Sequence, residues 1–226
     1  MENTSDGFQQ PGLYLLLSGG KRIVLTRERV KTFARNFECN LDRIPADIRS
    51  AVAFHACEVC PERKRMTFCH ALPATLAFID ELNGFKSYDQ VGAVYRGEEG
   101  ELVCVPETTM QEALQFVTLL SLMYYCEVGK KYWKFFVGVN PLMDRAELIN
   151  RVHLNIHRHC EGDSAKIERL MQAFADEVTC TCECQVKRLG LICKSDALLN
   201  AFVNTQAQIV CMALTKVGSP ILGEAA

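Results

Sequence analysis

The sequence predicts an α+β fold: a mostly helical single domain with two β-hairpins that can share one small sheet. Two pairs of β-prone runs, each joined through glycines, predict the hairpins. A series of stretches with apolar residues at helical spacing predicts the helices, and no linker-like or repeated segment divides the 226 residues. The domain therefore spans 1–226, with the hairpins and a cysteine motif in the half up to about residue 140 and helices from about 141 onward. The turn at Asn140-Pro141 is the one plausible seam.

The elements follow in order. Leu13–Leu17 and Arg22–Thr26 flank Ser18-Gly-Gly-Lys21, a hairpin signal. Val30, Phe33, Ala34 and Phe37 then recur at helical spacing behind Thr26, a candidate N-cap, and Asn40 to Pro45 breaks that helix. A short helix through Ile48, Val52 and Ala53 leads into the cysteine motif, whose loop is marked by Pro61 and the charged run Glu62 to Arg65. Ala71 to Leu82 is predicted as one helix ended by Asn83-Gly84. Val91–Tyr95 and Glu101–Val105 make the second hairpin.

Thr109 and Glu112 form a capping box in front of a stretch that is apolar almost all round, through Leu114, Val117, Leu120, Leu122 and Met123, which predicts the centre of the core. Asp144 with Glu147 opens a helix to about Cys160, closed by Gly162, and Asp163 or Ser164 caps the next. That helix carries Ile167, Leu170, Met171, Phe174 and Val178, and a last one begins at Ser195. Between them Val178, Cys180, Cys182, Cys184 and Val186 alternate, which fits a strand with three thiols on one face or a continuing helix that splits them.

Composition narrows the function classes. A hydrophobic share of 49% and a charged share of 23% are those of a globular protein. A net charge of -2 and a pI near 6.2 provide no long-range field for nucleic acid or an anionic membrane. The segment Lys130 to Phe136 interleaves lysines with aromatics, and the expectation is rings on the core and lysines in water. Met1 to Gly12 is polar and acidic with no export signal, and Phe116 to Cys126 is about half the length of a membrane span. Twelve cysteines in a chain with no export signal read as reduced thiols or metal ligands of a cytoplasmic protein.

The chemistry of the chain concentrates in those cysteines. His55, Cys57, Cys60, Cys69 and His70 have the density of soft ligands that a zinc or iron–sulfur site requires, with Cys57 and Cys60 at the spacing of a metal-binding turn. The alternatives are a redox-active dithiol at Cys57 and Cys60, or cysteines that act only as small buried hydrophobes. A second set, His153, His157 and Cys160, lies at one-turn spacing on a helix and could chelate a metal or sit at the core edge as hydrogen-bonded histidines. Cys180, Cys182 and Cys184 form a third, which could hold a metal together with either earlier set once the chain is folded. Walker, dinucleotide-binding, nucleophile-elbow and His-Glu-x-x-His motifs are all absent.

The block Phe54-His55-Ala-Cys57-Glu-Val-Cys60-Pro61, the following Cys69 with Ala71-Leu72, Ser87-Tyr88-Asp89 and Thr108 to Leu114 resemble a family of uncharacterised bacterial cysteine-motif proteins, over roughly the first two-thirds of the chain to about Met143. This chain departs from that pattern with Cys69-His70 where Cys-Pro is expected and Tyr125-Cys126-Glu127 in place of a later Ser-Gly-Cys-Pro. The resemblance implies that Cys57, Cys60 and Cys69 are a family feature and carries no activity. The expectation is a non-enzymatic, metal-binding or redox-responsive accessory or regulatory protein. Cys57, Cys60 and Cys69 are its ligands, His70 or His55 the fourth, and its partner is another protein or a second copy of itself. A thiol–disulfide enzyme and a helical interaction module are the rivals.

Overall fold

The computed structural model describes residues 8–53, 57–194 and 196–215. Strands β1 (Gly12–Leu16), β2 (Arg22–Thr26), β3 (Gln90–Arg96) and β4 (Leu102–Thr109) form one antiparallel sheet in the order β2-β1-β3-β4. The two hairpins therefore share a sheet, joined where β1 pairs with β3. Gly19 and Gly20 both take positive φ, 78° and 77°, which explains the glycine pair in the first turn. Register places Leu15 opposite Ile23 on one side and Ala93 on the other, and Leu13 opposite Leu25, so these alternate residues line the core face. Tyr14 lies on the opposite face, where its hydroxyl donates to the Gln10 carbonyl at 2.7 Å. The β3–β4 register slips by one residue beside Gly92, opposite Pro106, a bulge that suits a proline on an edge strand.

Helix α1 (Arg27–Cys39) is capped by Thr26, whose hydroxyl accepts from the Arg29 amide at 3.2 Å. Helix α2 (Ala46–Ala53) follows, and the cysteine loop leads to α3 (Ala71–Leu76) and α4 (Ile79–Leu82). The single helix expected over 71–82 is broken at Phe78, which leaves helical geometry with φ -124° and is fully buried beneath the Arg29 guanidinium. Burial of a phenyl ring from the wrong side of the turn outweighs helical continuity there.

The apolar stretch predicted at the centre of the core is there. It winds as α5 (Met110–Ala113), α6 (Gln115–Leu119) and a π-helical segment, Leu120–Tyr125. Its start is held by Glu112, which accepts from the Thr109 amide and from the Thr108 and Thr109 hydroxyls. Helix α3 packs against the π-helical segment, and the last helix, Ala197–Leu214, against α5 and α6. Helices α7 (Arg145–His159), α8 (Ser164–Leu189) and α9 (Ala197–Leu214) complete the C-terminal half, with Asp144 and Asp163 capping α7 and α8.

The alternating stretch 178–186 is helical throughout, part of the 26-residue α8. A continuous turn pattern through Val178, Thr181, Cys182, Gln185 and Leu189 buries one face, which an extended segment of that length could not do. Helix α9 has the length and apolar composition of a membrane span, and here Leu198, Ala201, Phe202, Thr205, Ile209 and Met212 on it are buried against the rest of the chain. Tyr132, Phe135 and Phe136 are core residues, whereas Lys130, Lys131 and Lys134 are exposed.

Replacing Glu112 with alanine removes the acceptor of three hydrogen bonds at the entry to the central segment. The expected loss is about 1 kcal/mol. It should appear as a fall in Tm of roughly 2–4 °C.

Candidate functional site: a convergent thiol cluster

Four distant stretches deliver cysteines to one region. Cys57 and Cys60 come from the loop after α2, Cys69 from the turn before α3, Cys126 from the end of the π-helical segment, and Cys184 from the middle of α8. Their thiols feel one another electrostatically: Cys57 with Cys60, Cys126 and Cys184; Cys60 with Cys69 and Cys126; and Cys69 with Cys126. Cys182 is also within electrostatic reach of Cys126. No cysteine among the described residues is in a disulfide.

The loop is folded as two successive turns, with the Cys60 amide donating to the Cys57 carbonyl at 3.0 Å and the Arg63 amide to the Cys60 carbonyl at 3.2 Å. This leaves the Glu62 amide within hydrogen-bonding reach of the Cys60 sulfur. A matching arrangement surrounds Cys126, whose sulfur receives the amides of Gly129 and Val128. Gly129 is required for this wrap, because a Cβ there would lie 1.9 Å from the Leu122 carbonyl oxygen. Cys69 receives a hydrogen bond from Gln185 Nε2 at 3.2 Å, while Gln185 Oε1, fully buried, has no partner among the described residues.

The Cys57 thiol and the Cys184 sulfur are within hydrogen-bonding reach, with Cys57 as the donor. The guanidinium of Arg188, one turn further along α8, donates through Nε to the same sulfur at 3.4 Å and through Nη1 to the Ala51 carbonyl at 3.1 Å. Arg188 is 1% exposed, so its charge acts through low-dielectric surroundings. The Cys57 hydrogen bond first, and the Arg188 charge with it, hold Cys184 down to about 6. Cys57, as the donor, is pushed up, and burial further raises it. Burial lifts Cys126 to about 12 against the pull of its two amides, and it also raises Cys60 and Cys182.

His70 stands at the rim, with Nδ1 3.0 Å from Glu127 Oε1, and Lys130 Nζ reaches the same oxygen at 2.6 Å. His55 lies outside the described residues. Among the described residues, no three His, Cys, Asp or Glu side chains stand in an arrangement that holds a metal ion. The cluster as it stands is a set of neighbouring thiols with hydrogen-bond donors aimed at four of the sulfurs.

The second candidate set does not join it. His153 is buried and donates from Nε2 to the Met212 carbonyl at 2.8 Å; His157 is exposed beside Gly162; and Cys160 is buried in the core. The third set is divided. Cys184 and Cys182 are buried toward Cys57 and Cys126 respectively, and Cys180 is half-buried. The sequence leaves open that the Cys180–Cys184 group joins an earlier cluster after folding, and the structure brings Cys184 to Cys57; Cys126 is the thiol that sequence reasoning missed. The signals available were the cysteine standing where the resembled family carries a later Ser-Gly-Cys-Pro, and Arg188 four residues after Cys184.

No known family matches this chain, and neither a curated protein nor a solved structure does.

Gly129→Ala is expected to cost about 1–3 kcal/mol through the clash with the Leu122 carbonyl. Lifting the amides off Cys126 should also change the rate at which that thiol is alkylated, which mass spectrometry of partially labelled protein can read. Burial holds His153 below its ordinary 6.5, so the unfolded chain takes up the proton first. Its contribution is complete above pH 6.5 and is lost as pH falls below that value. Thermal melts between pH 7.5 and 5 should show a steeper fall for the natural protein than for His153→Gln.

Proposed function

We propose that this protein is a non-enzymatic, cytoplasmic accessory or regulatory factor whose working part is the thiol cluster. Cys57, Cys60, Cys69 and Cys126 serve as thiolate ligands of one soft metal centre, a zinc ion or an iron–sulfur cluster. What supports it is that these four thiols, from three separate stretches, lie within electrostatic reach of one another, with backbone amides on Cys60 and Cys126 and the Gln185 amide on Cys69. N–H groups aimed at sulfur favour its anionic form, and several anions so close together repel unless a cation joins them. A soft divalent or iron centre is the cation that thiolates select. Cys126 takes the place that His70 or His55 held in the sequence-based expectation.

The Cys57–Cys184 contact supports a second reading, a redox-responsive dithiol. Cys184 beside Arg188 is the nucleophilic sulfur and Cys57 its neighbour. A hydroperoxide or a small disulfide would accept two electrons as the two thiols release two protons and form one S–S bond.

Elemental analysis of anaerobically purified protein, with a thiol count before and after denaturation, separates the readings. About one zinc or several irons per chain, lost in the Cys60→Ser and Cys126→Ser variants, is the outcome expected of the metal centre. Metal-free protein that forms a Cys57–Cys184 disulfide under mild oxidant would replace the first reading with the second. Metal-free protein with inert thiols would overturn both and leave an interaction module with cysteines as core residues.

A further inference from the structure

A second polar site lies where the start of α6, the start of α7 and the middle turns of α9 meet the sheet edge at β4, and no cysteine among the described residues lines it. The cavity there measures about 330 Å³, within the range of small-molecule sites. Two amide side chains form its buried wall. Gln115 and Gln208 are 5% and 7% exposed, and Gln208 Nε2 donates to Gln115 Oε1 at 3.2 Å. That bond leaves Gln115 Nε2, with two N–H groups, buried and without a partner among the described residues. A buried donor left unpaired opposes folding, so a ligand atom that accepts from it relieves a cost already present in the chain.

The exposed part of the lining has the opposite polarity. Glu112 and Asp144 stand there against the single guanidinium of Arg145, which leaves one negative charge uncompensated. The Thr109 hydroxyl first, and the Arg145 charge with it, hold the Glu112 carboxyl below its ordinary range, so it is ionised at neutral pH. Glu112 Oε2 accepts from the Thr109 amide and from the Thr108 and Thr109 hydroxyls, and Asp144 Oδ1 accepts from the Glu147 amide at 2.9 Å. The other oxygen of each carboxylate has no hydrogen-bond partner among the described residues. Arg145 Nη2 is turned to Asn204 Oδ1 at 3.3 Å. Pro141, Leu142 and Met143 supply an apolar flank.

We propose that this cavity binds a small primary ammonium compound that carries a neutral acceptor, a carbonyl or hydroxyl oxygen, at its other end. The acceptor takes the hydrogen bond of Gln115 Nε2 at the buried wall, the ammonium is held by the Glu112 and Asp144 carboxylates, and the short chain between them lies against Leu142 and Met143. Charge-assisted bonds to carboxylate are stronger than neutral ones, and the uncompensated negative charge favours a cation over an uncharged molecule of the same shape. The site is independent of the thiol cluster, and its test involves no cysteine.

The probe is β-alaninamide, titrated into the ¹⁵N-labelled full chain, with propanamide as the counterpart that lacks the charge and propylamine as the one that lacks the acceptor. The Gln115 side-chain amide is assigned by its disappearance in Gln115→Met. The expected result is a saturable shift of that amide, with affinity reduced about tenfold or more for propanamide and about fivefold for propylamine, the loss of one charge-assisted and one neutral hydrogen bond. Asparagine caps a helix as well as aspartate does, so Asp144→Asn removes the charge and keeps the start of α7, and it should weaken β-alaninamide severalfold. Arg145→Met removes the competing cation and should tighten it. Asp144 and Arg145 are exposed, so both variants remain informative even where Gln115→Met does not fold. No saturable shift at Gln115, affinity for propanamide or propylamine equal to that for β-alaninamide, or weaker binding in Arg145→Met would overturn the proposal.

Discussion

Burial of the segment from Met110 to Cys126 is the constraint on which the rest of the structure depends. Met110, Leu114, Val117, Leu120, Leu122 and Met123 are all buried, so the segment needs cover on every side. The core face of the sheet covers its start, α3 lies along its end, and α9 packs against α5 and α6. Polar residues buried in the same segment are paired with those neighbours: Thr118 with Thr205 of α9 at 2.6 Å, and Ser121 with the Ala71 carbonyl at 2.9 Å. Unpaired, each would oppose the packing, so these bonds also fix how α3 and α9 dock.

The thiol cluster follows from that packing. The π-helical turn at Leu120–Tyr125 ends with the Cys126 amide bonded to the Ser121 carbonyl, which delivers Cys126 to the end of the core segment beside the cysteine loop. Helix α8 supplies Gln185 and Arg188 from its buried face, and these reach Cys69, Cys184 and the Ala51 carbonyl at the end of α2. Opposed effects meet in this place. Desolvation favours neutral thiols, whereas amides and a buried guanidinium favour thiolates. The balance differs from sulfur to sulfur: Cys184 is held down by the Cys57 hydrogen bond and the Arg188 charge, whereas burial lifts Cys126.

Much of the fold was legible because its signals are local. A glycine pair with positive φ, the capping residues Thr26, Asp144 and Asp163, and the apolar spacing of each helix all act within a few residues of themselves. The segment 178–186 was ambiguous for the opposite reason. Alternation at period two and a helical face overlap over nine residues, and only packing of the whole of α8 resolves them. Phe78 broke an expected helix because the burial of one ring is a property of its surroundings.

By itself, then, the sequence determined the fold class, the pairs of strands, the order of the helices and the identity of Cys57, Cys60 and Cys69 as neighbours, since each rests on residues close together in the chain. Tertiary structure alone decided that β1 pairs with β3, that Cys126 and Cys184 join the loop cysteines while His153, His157 and Cys160 do not, and that Gln115 faces a cavity with an unused donor. The physical reason is common to all three. Which surfaces meet across long stretches of chain is set by the joint burial of the core, a sum over many contacts that no short window of sequence contains.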